Sequence, residues 1–196
     1  MKTHQIIRLA IPLVLLMGFA TTFFVAVLTN QEVNASPNLY VSDSISMNLW
    51  ITNPTIDGES DHDGREESMD VLVYSHSISA SYSTDGTRSA ASAVHTPLRI
   101  TKMVDKATPK LYQFCSDGTV IETVTLRLYF EPEGLNFLSI ELQSAQIVSV
   151  QDFGYLEDRP TETVSFIYQT IKWTYTEYGT DGKSKGNVEF IDTWTG

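Results

Sequence analysis

The chain has one cysteine, Cys115, in 196 residues. No intramolecular disulfide can form, so the hydrophobic core alone must hold the fold. Basic residues are scarce too: 13 Lys and Arg stand against 24 Asp and Glu, a formal charge of −11. Nucleic acids and anionic membrane surfaces both select Lys/Arg patches, so this balance argues against either as a partner. Catalytic signatures are also missing. Serine is abundant, yet no G-x-S-x-G elbow occurs. The histidines are scattered, with His4 near the N-terminus, His62 in an acidic loop, His76 within a strand pattern and His95 before a turn. A hydrolase would rest only on abundant Ser and Asp, so the residues point to no enzyme and no cofactor.

Only one long apolar run is present. Lys2, His4 and Arg8 precede Leu9–Leu28, and Val33-Asn34-Ala35 offers small side chains to a signal peptidase. Residues 1–35 read as an export signal cleaved between Ala35 and Ser36. The run approaches the ~20 residues that span a bilayer, so an uncleaved anchor is the alternative. Either way, residues 36–196 form one domain outside the cytoplasm, periplasmic or secreted. Without Lys2, Arg8 and Glu32 that domain has 11 basic and 23 acidic residues and a formal charge of −12, which favours solubility.

Within the domain, alternation of apolar and polar residues recurs with the period of half-buried strands. Ile45, Met47, Leu49 and Ile51 form one such row. The run MDVLVYSHSISASYS sets Leu72, Tyr74, His76, Ile78, Ala80 and Tyr82 on one face, opposite Val71, Val73 and four serines. Val124, Leu126, Leu128 and Phe130 give a core face, and the EPEG turn, Glu131–Gly134, joins it to a second strand over 137–150. Further strands are predicted over 163–168, 171–176 and 188–194. One helix interrupts the pattern. Thr108 is placed to cap it, Pro109 suits its first position, Leu111, Phe114 and Cys115 share its apolar face, and Gly118 ends it. The pattern predicts an all-β domain, an antiparallel barrel or sandwich with one flanking helix.

Glu59, Asp61, Asp63, Gly64 and Asp70 fall near calcium-loop spacing, but the first and last ligand types are wrong and a strand follows instead of a helix. The stretch reads as a solvated acidic loop, with no metal. Cys115, four residues from Leu111, reads as a packed structural thiol. Trp50, Tyr74 and Trp173 are the aromatics a monomeric, glycan-binding module would use for stacking. The serine- and threonine-rich strand faces suit solvent, and equally the wet wall of a pore built from several copies.

HTPLRITKMVDKATPKL, His95 to Leu111, resembles the central signature of the haemolysin-coregulated protein (Hcp) family, the tube protein of type VI secretion. There an H-x-P-x-x-x-T-K strand runs through V-D-K-x-[ST]-P-x-L into the single helix. IETVTLRLYF, FLSIELQSAQIVSVQ and PTETVSFIYQTIKWTYTEY resemble the strands that follow, and IDGESDHDGREESMDVLVYSHSIS the opening. The resemblance implies a compact β-barrel with one helix, self-assembled as hexameric rings that stack into a hollow tube. It also implies no enzymatic role, with small effectors as lumenal cargo. The segment STDGTRSAASAVHT is long for a hairpin connection, and in the resembled family this loop reaches the next ring. Thr84, Asp85, Gly86, Thr87, Arg88 and Ser89 are therefore expected to carry stacking, with Arg88 facing a negative surface. The apolar leader departs from the family, whose members leave through the injector without a cleavable signal. An exported relative would build its tubes outside the cell.

Overall fold

The computed structural model describes residues 42, 44–80, 93–154, 156 and 158–194. The leader, the cleavage pair Ala35 and Ser36, Tyr82, and the loop residues Thr84 to Ser89 lie outside these residues.

The order of elements is β1 (Ser44–Thr52), β2 (Met69–Ser75), β3 (Ile78–Ala80), β4 (Ala93–His95), β5 (Leu98–Met103), α1 (Thr108–Asp117), β6 (Val120–Glu131), β7 (Leu135–Phe153), β8 (Thr161–Ile167), β9 (Thr170–Tyr178) and β10 (Ser184–Thr193). Eight strands pair in the order β10-β9-β7-β6-β1-β2-β5-β8, and β8 returns onto β7. The cycle β7-β6-β1-β2-β5-β8 is thus a closed antiparallel barrel. The remaining pair, β3 and β4, forms a separate small hairpin.

β7 holds the architecture together. Its 19 residues pair through Gln146–Phe153 with β8 and through Leu138–Gln143 with β9. β8 and β9 are therefore one long strand alongside β7, broken at Tyr168 and Gln169. Ser144, at φ 50°, lies opposite the break. The break lets β8 close the barrel against β5 while β9 leads away to carry β10.

The core is the barrel interior. Leu49, Leu98, Ile100, Leu126, Leu142, Val164 and Phe166 are all fully buried there, each such side chain contributing about 1.5–3 kcal/mol of transfer free energy. Helix α1 adds Leu111 and Phe114, with Cys115 half-buried beside them. Gly118 ends the helix in the left-handed region (φ 68°), as expected, with its N–H donating to the Phe114 carbonyl. The N-terminus departs from the sequence reading. Ala107 holds the cap position and Thr108 is the first helical residue, its hydroxyl engaged elsewhere.

β2 also departs from strict alternation. Val71 is buried and Tyr74 packs on the core, yet Leu72 and Val73 are both exposed. The register against β5 shifts between Val71 and Val73, a bulge that reverses which parity faces inward. An unbroken period of two cannot reveal such a bulge.

Candidate functional site: three polar anchors and an open strand edge

The charged turn between β5 and α1 is organised from within. Lys102 and Glu162 are direct cross-strand partners on β5 and β8, and both are fully buried. The Lys102 ammonium reaches Glu162 Oε1 at 2.8 Å, Asp105 Oδ1 at 2.7 Å and the Met103 carbonyl at 2.7 Å. Its three donors are therefore matched by three oxygens. Thr108 Oγ1 donates to Glu162 Oε1 at 2.8 Å and accepts the Asp105 N–H at 3.2 Å. The helix start is thus tied to a barrel strand through one carboxylate. Lys102, Asp105 and Thr108 match the T-K, D and [ST] positions of the signature, which accounts for the basic strand leading into the helix.

A second anchor holds the acidic loop. Arg65 donates to Ser46 Oγ at 2.6 Å, Asn48 Oδ1 at 3.2 Å and Glu131 Oε1 at 2.7 Å, and lies 4.3 Å above the Tyr129 ring. Asn48 Nδ2, fully buried, reaches Ser60, Ser68 and Asp70. The hydrogen bond from Ser46, then those from Arg65, hold the Glu131 carboxyl below the ordinary range against the opposing effect of burial. The loop carboxylates turn apart: Glu59 accepts the Lys106 N–H, and Asp70 accepts from Asn48. Among the described residues no three His, Cys, Asp or Glu side chains gather as metal ligands.

The third anchor fills the break between β8 and β9. Tyr168 points its hydroxyl between two histidines, 2.6 Å from His76 Nε2 and 3.0 Å from His95 Nδ1. Asp192 Oδ2 of β10 lies 3.2 Å from His95 Nε2. Trp194 stacks on His95 at 5.8 Å, and Trp173 sits 5.5 Å from His76. Burial, then the Asp192 charge, raises the Tyr168 pKa far above its ordinary value, which keeps the phenol protonated. Burial, then the charge on His95, lowers that of His76. An acidified phenol is what a nucleophilic role needs, and here the shift runs the other way. The sequence places His76 within a strand pattern and His95 before a turn, and points to neither as a catalytic residue. Tyr168 and Asp192 carry no such signal in the sequence, since only the fold shows that His95 is buried and needs polar partners.

Trp50, Tyr74 and Trp173 share no open platform. Trp50 lies 5.2 Å beneath the Arg127 guanidinium, Tyr74 packs on the core, and Trp173 stacks on Phe190. What is open is β10. Nine of its ten residues are exposed, and among the described residues no strand pairs with its outer edge. Val188, Phe190 and Ile191 are 73%, 57% and 58% exposed, with Phe190 and Ile191 on opposite faces. A long apolar edge of this kind pairs with other chains unless something covers it.

A closed barrel, three buried polar anchors and an apolar strand edge unpaired among the described residues are the features of an assembly module. A family model described as type VI secretion system effector, Hcp, matches residues 48–175. The major exported protein of Pseudomonas aeruginosa is 26% identical over 135 residues, covering 64% of this chain and 78% of that one. Hcp1 from the E. coli EAEC 042 pathovar superposes with a TM-score of 0.65 at 25% identity, over 77% of this chain and 100% of that one. Hcp1 from Salmonella typhimurium gives 0.63 at 24% identity, over 76% and 95%. The chain belongs to the Hcp family of type VI secretion, and its class is that of a tube-forming structural protein.

Proposed function

We propose that residues 36–196 assemble as hexameric rings that stack into a hollow tube, and that β10 forms the seam between neighbours. The observation that carries this reading is the unpaired β10 edge with Val188, Phe190 and Ile191 exposed. Ring closure is heterologous, so one protomer's edge meets a different surface on the next. Ile45, Leu72 and Val73, 54%, 46% and 57% exposed on β1 and β2, supply a second apolar patch for that role. Stacking falls to Thr84–Ser89, and small effector proteins are the cargo that suits the lumen. The leader directs export, with cleavage after Ala35, and the tubes form outside the cytoplasm.

Solution mass tests the seam. The wild-type mature chain is expected to sediment as a hexamer, and Phe190→Lys as a folded monomer. A Phe190→Lys protein that still forms hexamers moves the seam away from β10.

A further inference from the structure

We infer that the row His76–Tyr168–His95–Asp192 is an acid-operated latch, closed with no added proton or with one and opening with two. It joins the base of the β3–β4 hairpin to the end of β10. Tyr168 carries one proton and two acceptor lone pairs, and a ring nitrogen faces its hydroxyl on each side. The Asp192 carboxylate, an acceptor only, faces His95 Nε2, so that nitrogen holds a proton. With both rings neutral, His76 Nε2–H donates to Tyr168, and Tyr168 donates to His95 Nδ1.

One added proton can be held by His95, beside the carboxylate. Its Nδ1–H then donates to Tyr168, whose own proton turns to His76 Nε2 as His76 shifts to the other tautomer. The chain has reversed direction, and each contact to the Tyr168 oxygen still pairs a donor with an acceptor. A second proton allows no such arrangement. Both rings would donate to the same oxygen, the Tyr168 proton would have no acceptor, and two cations would face each other with ring centroids 6.2 Å apart.

The titratable groups meeting here are His76 from the β2–β3 link, His95 from β4, Tyr168 from the β8–β9 break and Asp192 from β10, while Trp173 and Trp194 supply apolar walls. Because burial and the charge on His95 lower the His76 pKa, the second proton enters only below the ordinary histidine value, about 6.5. The barrel strands β6 and β7 contribute no member of the row. Opening therefore frees the hairpin base and the end of β10 while the barrel stays closed. The latch stands independently of ring stacking, although the hairpin it holds leads into the proposed stacking loop.

Hydrogen exchange of the purified chain at about pH 7.5 and about pH 5, corrected for the intrinsic pH dependence of exchange, tests this. Peptides over residues 74–80, 93–97 and 188–194 are expected to lose about ten-fold or more in protection at the lower pH, while β6 and β7 keep theirs. His76→Gln retains a side-chain donor and acceptor but takes no proton, and should abolish that step. Equal protection at both pH values in the wild type, loss shared with β6 and β7, or an unchanged step in His76→Gln would each overturn the latch.

Discussion

Lys102 and Glu162 face each other across β5 and β8 at 2.8 Å, and neither side chain is open to solvent. Removing one partner of a buried ion pair leaves an uncompensated charge, at a cost of about 3–5 kcal/mol. Lys102→Met should lower unfolding free energy by that amount in urea melts. The double variant Lys102→Met, Glu162→Leu should recover part of the loss, because it removes the orphaned Glu162 charge but leaves the buried Asp105 carboxylate without its ammonium partner. A double variant as unstable as the single one would mean that Asp105 and Thr108 depend on Glu162 more than the pair itself does.

Gly58 is fixed by close approach of backbone. A Cβ there would fall on the Ser68 carbonyl and within 2.7 Å of Met69 Cγ, and the Gly58 N–H donates to Glu67 O at 2.7 Å. Gly58→Ala should cost about 1–3 kcal/mol through overpacking and expose the acidic loop to protease. Unchanged stability and cleavage would show that the loop shifts freely.

Glu131 gives acid sensitivity of definite sign. Its folded pKa lies below the ordinary 4.5, chiefly through Ser46 and then Arg65. Its contribution is therefore present above pH 4.5 and fades as pH falls through the lower folded value. Glu131→Gln should lower the melting temperature near neutrality and flatten its decline in that acid window. A variant whose acid decline parallels the wild type would place that sensitivity on other carboxylates.

The segment 84–93 is predicted to stack rings without helping to form them. Replacing it with a two-residue turn should leave hexamers of wild-type mass that no longer lengthen into tubes. With Arg88 opposite a negative surface, wild-type tube length should also shorten as salt screens that contact. Long tubes from the shortened chain would place stacking elsewhere.

Much of the fold was legible because period-two rows such as Leu49–Ile51 and Val124–Leu128 report burial directly, and Pro109 and Gly118 bracket the helix locally. The leading edge of the helix was less legible, since Thr108 spends its hydroxyl on Glu162, a residue 54 positions away. The β2 bulge at Leu72 and the break at Tyr168 are set by pairing with β5 and β7, which no local pattern encodes. The latch was hidden for the same reason: its four members come from separate segments, and only His76 and His95 are residue types that draw notice alone. The open edge of β10 was invisible in sequence because Val188, Phe190 and Ile191 read as ordinary core residues.

Electron microscopy of the purified chain lacking residues 1–35 tests the central claim most directly. The account predicts hexameric rings and stacked hollow tubes, with β10 of each protomer lying against its neighbour. A field of uniform single barrels at high protein concentration, with β10 uncovered, would contradict it.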